Sequence, residues 1–230
     1  MANWIIPVGV VCLLFLSFST AGYSVSIQNY LDKPIVLVTG FEPFGEYDIN
    51  PSQLIAQTLN GQELDDVVIY GLVLPVDFNA SVKQITDAID NLHPILVVSI
   101  GLEAKTYSIQ VENVAKNLKH DPSDTQNDRR FSRLNLHGPF FRLSSLPTHV
   151  IVRELRQNGI PAQQSWSAGT YVCNALFYGE VSYIKTKNLP IDAGFLHVPL
   201  LTSQNPQGMD LQVMVDAIKI TITTSLQEQR

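Results

Sequence analysis

The sequence predicts a single α/β domain, and three observations lead there. Short apolar runs rich in β-branched residues alternate with stretches whose apolar positions recur every three to four residues. No internal repeat or low-complexity tract interrupts that alternation. At 230 residues, 45% hydrophobic and 16% charged, the chain can bury one sizeable core without splitting into a second.

The first run, Pro34 to Gly40 (PIVLVTG), reads as a buried strand ended by glycine. Asn50-Pro51-Ser52 then opens a helix through Leu59, because asparagine caps well and proline suits the first helical position. Val67 to Leu74 and Pro94 to Gly101 (PILVVSIG) are further buried strands. Between them Val82, Ile85, Ile89 and Leu92 line one helical face. A helix is expected from Pro147 to Gln157, stopped by Asn158-Gly159 and Pro161. Ile191 to Val198 reads as a strand. Leu211, Met214, Ile218 and Ile222 form a closing amphipathic helix, although Ile218 to Ile222 also alternates as a strand would. Residues 118–139 are polar and aperiodic and read as a long surface loop. Its Asp121, Asp124, Asp128 and His137 have no recognised metal-ligand spacing, so no metal is assigned to them.

Ahead of this domain, Trp4 to Phe18 is WIIPVGVVCLLFLSF, and no Asp, Glu, Lys or Arg precedes Asp32. The apolar core is shorter than the roughly 20 residues a membrane span needs. Small residues follow it at Ser19-Thr20-Ala21-Gly22, so residues 1–22 read as a signal peptide cut near Ala21 or Gly22. The expected product is an exported protein, periplasmic or secreted, whose domain occupies residues 32–230. Once cleaved, it would have no stable membrane insertion. Because the segment before the apolar core lacks Lys and Arg, an uncleaved membrane anchor is the alternative. The formal charge of −6, the pI near 5.3 and the lack of any basic cluster beyond Arg129-Arg130 exclude nucleic-acid binding. Cleavage would remove Cys12 and leave Cys173 alone, with no intramolecular disulfide. Such a thiol is either a small buried hydrophobe or a reactive group.

Cys173 lies in SAGTYVCNALFYGEV, where Ser167 or Thr170 would cap a helix whose first turn holds the cysteine. A helix N-terminus favours a negative sulfur. The same spacing also suits Val172, Cys173, Leu176 and Phe177 as a core-facing stripe. A cysteine nucleophile requires a base, and that base requires an orienting group. Of the five histidines, His93 precedes a proline at a helix end, His120 and His137 lie in the loop, and His149 opens a helix. His197 ends the strand AGFLHV, where α/β sheets place functional side chains, although a strand-end histidine is often structural. Glu112, among Ile109, Val111 and Val114, should be paired, and the residues alone do not choose between a functional role and a salt bridge or an edge-strand charge.

Taken together, VLVTGFEPFG with INPS, the SIG segment at Ser99 to Gly101, IQVENVAKN, GIPAQQSWSAGTYVCNALFYG and GFLHVPLL resemble the pyroglutamyl peptidase I family, also called pyrrolidone-carboxylate peptidases. The resemblance spans roughly residues 34 to 228. It implies a twisted mixed sheet with helices on both faces, and a thiol protease that needs no cofactor or metal. The substrates implied are peptides with an N-terminal pyroglutamate, hydrolysed through a thioester acyl-enzyme. The resemblance makes Cys173 the nucleophile, His197 the base and Glu112 its orienting group. It places Phe41, Phe44, Tyr171 and Val172 at the substrate pocket, and implies a homo-dimer or tetramer. The alternative is a non-catalytic or weakly active binding protein for pyroglutamyl-blocked peptides. Two departures matter. Family members carry an arginine soon after the catalytic glutamate, whereas here no arginine occurs between Glu112 and Arg129. Leu102-Glu103-Ala104-Lys105 stands where members have a glycine-rich run. The expectation is weaker catalysis through a less organised pocket, unless Arg129 and Arg130 fold back to compensate.

Overall fold

The computed structural model describes residues 33–121 and 131–229. The segment read as a signal peptide, the Arg129-Arg130 pair, Asp124 and Asp128 lie outside the described residues. The chain runs β1 (Ile35–Phe41), α1 (Pro51–Leu59), β2 (Glu63–Leu64), β3 (Val67–Leu74), α2 (Ala80–Leu92) and β4 (Leu96–Leu102). Short strands follow: β5 (Ile109–Glu112), β6 (Val114–Lys116), β7 (Lys119–His120), β8 (Phe131–Ser132) and β9 (Phe141–Leu143). The chain closes with α3 (Thr148–Gln157), β10 (Ala162–Ser165), α4 (Val172–Lys187), β11 (Asp192–Val198) and α5 (Leu211–Glu228).

Seven strands form one sheet in the order β10-β5-β11-β4-β1-β3-β2. The central strands β11, β4, β1 and β3 are parallel, while β5 runs antiparallel to β11 and β2 antiparallel to β3. The sheet is therefore mixed, as expected. β1, β4 and β11 are covered on both faces, which is why they read as unbroken apolar runs, whereas β3 leaves Tyr70 exposed. On one face Val36, Val38 and Val98 pack against Ile55 and Leu59 of α1, Ile151 and Leu155 of α3, and Met214 and Ile218 of α5. On the other, Leu37, Val97 and Phe195 pack against Ile85 and Ile89 of α2 and Leu176 and Phe177 of α4. Burying each such side chain contributes about 1.5–3 kcal/mol before entropy is counted.

The start of α1 follows the sequence reading. Asn50 Oδ1 accepts from the Ser52 backbone N–H (3.1 Å) and from Ser52 Oγ (2.8 Å), and Pro51 occupies the first turn. Ser52 Oγ accepts in turn from the Phe41 N–H (3.0 Å), so the end of β1 is tied to the start of α1. Gly40 permits this approach, since a Cβ there would lie 2.0 Å from the Ser52 carbonyl oxygen. The ambiguous tail is wholly helical. In α5 Thr221 and Ser225 face the interior and donate to the Ala217 and Thr221 carbonyls (both 2.8 Å), so their hydroxyls are satisfied within the helix.

The described parts of the expected long surface loop, residues 118–121 and 131–139, carry more structure than the sequence suggested. Lys119 and His120 pair antiparallel with Ser132 and Phe131, and the His120 ring stacks on Phe131 at 4.8 Å. Asn117 holds the far end: its Nδ2 donates to the Asn135 and Gly138 carbonyls (2.7 and 3.2 Å), and its Oδ1 accepts from the Asn135 N–H (2.8 Å). Two-residue strands are too short to show a period, so pattern reading passes over them.

Candidate active site

Three elements converge at the carboxyl ends of the parallel strands, the place where open α/β sheets bind ligands. The end of β11 carries His197, the end of β5 carries Glu112, and the start of α4 carries Cys173. β5 pairs antiparallel with β11 so that Gln110 lies opposite His197 and Glu112, two residues along on the same face, is its diagonal neighbour. His197 Nδ1 donates to Glu112 Oε1 at 2.8 Å, although the residues lie 85 positions apart. Both are buried, at 5% and 1% exposure, so neither charge is offset by bulk water. The Cys173 sulfur lies over Gly101, the residue paired with His197, so the thiol sits beside the ring. Burial by itself lowers the His197 pKa, but the hydrogen bond to Cys173, then that to Glu112, and the charge of both groups raise it to about 10. The proton therefore rests on His197 at neutral pH, facing a sulfur and a carboxylate that both favour the cation.

Cys173 is the second residue of α4, whose cap differs from expectation. Tyr171 is the N-cap residue and makes no side-chain cap bond, so neither Ser167 nor Thr170 caps the helix. The first turn is anchored by Asn174 instead. Its Nδ2 donates to the Lys116 and Leu118 carbonyls and its Oδ1 accepts from the Lys116 N–H, all at 2.8 Å. The first backbone bond of the helix runs from Ala175 N to the Tyr171 carbonyl (3.1 Å). The Cys173 and Asn174 amides precede it and are free to donate to a substrate oxygen.

Gly101 of β4 lies directly beneath the sulfur. A Cβ there would sit 2.7 Å from Cys173 Sγ and 2.9 Å from Phe195 Cζ, while the Phe195 ring is 4.9 Å from that of His197. Gly101→Ala is therefore expected to push the sulfur out of line with His197. A displacement of about 1 Å costs on the order of 10²-fold in rate. Measured kcat/KM and the rate of Cys173 alkylation should both fall by at least about tenfold; an alanine variant with wild-type values would refute the packing argument.

The structure thus brings Cys173, His197 and Glu112 together. Among the expected pocket residues, Phe41 and Val172 are buried in one cluster beneath α4, and Phe44 is partly exposed with its ring edge-on to Tyr47 at 6.1 Å. Tyr171 is 43% exposed and packs edge-on against Phe78 at 5.4 Å. A polar cleft of about 280 Å³, lined by Lys105, Gln110, Gln163, Ser165 and Ser167 among others, opens onto Glu112 and His197. The departing segment after Glu112 supplies lysines: Lys116 Nζ donates to Ser167 Oγ (2.7 Å), and Lys119 Nζ lies 5.0 Å from the Phe78 ring centroid. Sequence reading missed Asn174, Phe78 and the reason for Gly101. A hydrophilic residue directly after the cysteine was the available sign for the first.

A mixed α/β sheet with cysteine, histidine and glutamate in one buried chain, the cysteine at a helix N-terminus, defines a cysteine-dependent hydrolase. Comparison with known proteins narrows the class. The pyroglutamyl peptidase family model matches residues 34–228, and the chain belongs to that family. It is 34% identical to the pyrrolidone-carboxylate peptidase of Bacillus cytotoxicus over 204 residues, covering 85% of this chain and 94% of that protein. Its fold superposes on pyrrolidone carboxyl peptidase from Thermococcus litoralis with a TM-score of 0.80 at 31% identity, covering 86% of this chain and 96% of the other. Pyroglutamyl peptidase I of Bacillus amyloliquefaciens gives a TM-score of 0.78 at 32% identity, covering 84% and 97%.

Proposed function

We propose that the protein is an exported cysteine exopeptidase that removes an N-terminal pyroglutamyl residue from peptides. The observation that carries this reading is His197, bonded to Glu112 and set beside the Cys173 sulfur, which lies over its strand partner Gly101. The Cys173 thiolate attacks the pyroglutamyl carbonyl carbon and forms a C–S bond, and the oxygen takes the negative charge. The free amides at the start of α4 donate to that oxyanion. His197 gives its proton to the departing nitrogen, the C–N bond breaks, and the peptide leaves as an amine. A water then enters, His197 takes its proton, and the hydroxide attacks the thioester. Collapse expels the thiolate, His197 holds the proton again, and pyroglutamate is released. Glu112 keeps Nδ1 occupied, so that the other ring nitrogen handles every transfer.

Phe41, Phe44, Tyr171 and Val172 suit an uncharged lactam, because flat apolar walls and a few backbone bonds satisfy it. A free α-ammonium would be desolvated there without a partner. Turnover of pyroglutamyl, prolyl and glutaminyl aminocoumarin amides tests this. The pyroglutamyl amide should be favoured by at least about 10²-fold, worth about 2.7 kcal/mol; comparable turnover of the prolyl amide would reject the assignment.

The apolar stretch Trp4 to Phe18 and the small residues after it support export. N-terminal sequencing of protein from the native host's envelope or medium should begin soon after Ala21. An intact Met1 in a soluble cytoplasmic fraction would remove this part of the proposal.

A further inference from the structure

The layer between α4 and the sheet is apolar, with Leu176, Phe177, Val181 and Ile184 set against Leu37, Val97 and Phe195. One charged residue type breaks it. Glu180 is fully buried, and its Oε2 accepts from Ser99 Oγ at 2.6 Å. Ser99 Oγ accepts in turn from Thr39 Oγ1 at 3.0 Å, so a polar chain crosses from α4 through β4 to β1. Glu180 Oε1 has no hydrogen-bond partner among the described residues, and the reaction above makes no use of the carboxyl. A buried anion with one partner would be costly. Burial pushes the Glu180 carboxyl well above the ordinary carboxylate range, against a smaller opposite pull from Ser99, so the charged form is disfavoured.

We propose that Glu180 is a positioning residue for Cys173, locking the rotation and register of α4 on the sheet through Ser99 and Thr39. Apolar contact is non-directional and tolerates small sliding of a helix over a sheet. A short hydrogen bond does not. Seven residues separate Glu180 from Cys173, which is about 20° short of two helical turns and about 10.5 Å along the axis, so both side chains leave the same face of α4. Ser99 and Gly101 likewise share one face of β4, two residues apart. The Glu180–Ser99 bond therefore holds the helix where the Cys173 sulfur lies over Gly101 and beside His197. Other directional anchors of α4 reach sideways, from Asn174 to β6, from Tyr178 to the Pro139 carbonyl, from Ser182 to Arg142 and from Tyr183 to Asp90 of α2. Glu180 ties the middle of the helix to β4 and, through Ser99 and Thr39, to β1.

This inference rests on the peptidase reading, and the experiment separates the two. Glu180→Gln, Glu180→Leu and Ser99→Ala are compared by kcat and KM for a pyroglutamyl amide, by the rate of Cys173 alkylation with iodoacetamide, and by thermal melting. Glutamine keeps a neutral acceptor for Ser99, so kcat and alkylation should stay within about threefold of wild type. Leucine fills the volume without the bond, and replacing a buried polar group by a hydrophobe is often neutral or stabilising. Glu180→Leu should therefore melt no lower than wild type, yet lose at least about tenfold in kcat with KM within about twofold, and alkylate correspondingly more slowly. Ser99→Ala should move kcat and alkylation in the same direction, and decides the matter if the leucine variant does not fold. Wild-type kcat and alkylation in folded Glu180→Leu or in Ser99→Ala overturns the proposal. So does a glutamine variant as impaired as the leucine one. If wild type itself does not hydrolyse the amide, the peptidase reading fails, and alkylation still reports whether Glu180 places the thiol.

Discussion

Cys173→Ala is expected to abolish hydrolysis while leaving the fold intact. The nucleophile is lost, and the residual rate should fall at least about 10³-fold, since removing the nucleophile of a catalytic unit costs roughly as much as removing the whole unit. Stability should change little, because the substitution deletes one sulfur atom from a half-buried position at the start of α4. Asn174, whose three bonds anchor the helix start, is untouched. Cys173 is also the free cysteine of the described residues, so iodoacetamide should inactivate the wild type with one label. Activity in the alanine variant above about 1% of wild type would remove Cys173 from the mechanism.

Glu112→Gln should cost about 10²–10³-fold in kcat/KM, and the reason lies in the proton on His197. Glutamine can still accept from Nδ1, so the ring keeps its place but loses a negative neighbour. Burial then weighs more heavily, and the His197 pKa should fall from about 10 as the hydrogen bond and charge of Glu112 disappear, with the bond to Cys173 still raising it. Imidazole titration by NMR reads this directly. The linkage to stability has a definite sign. The folded pKa of His197 is raised from 6.5 to about 10, so its contribution is fully present below pH 6.5 and is lost as pH rises through about 10. In Glu112→Gln that loss should begin at lower pH. Turnover within about threefold of wild type, or an unmoved His197 titration, would show that Glu112 neither orients nor charges the histidine.

Sequence made the central sheet readable because β1, β4 and β11 are buried on both faces and must be continuously apolar. α1 was readable from its cap, and α2 from its single apolar stripe. The ribbons β6–β9 and β7–β8 were not, since strands of two or three residues have no period. α4 was readable only at its start, for a different reason. Buried residues occupy most of its circumference, and Glu180, which a pattern assigns to solvent, is wholly interior. The site residues were nameable from resemblance, but their contacts were not. His197 and Glu112 meet because β5 pairs with β11 in a register that sets Gln110 opposite His197, and no spacing along the chain foretells that pairing. Gly101 looked like a strand-ending glycine until the Cys173 sulfur appeared above it.

The account turns on a covalent intermediate at one sulfur, and mass spectrometry of rapidly quenched enzyme tests it most directly. Wild type mixed with an activated pyroglutamyl ester and quenched in acid within the first turnovers should carry one pyroglutamyl group, released by hydroxylamine as a thioester is and mapped by digestion to Cys173. In Glu112→Gln the same adduct should persist longer, because its hydrolysis also depends on His197. Quenched enzyme that turns over the ester without any adduct, or an adduct that maps away from Cys173, would contradict the mechanism.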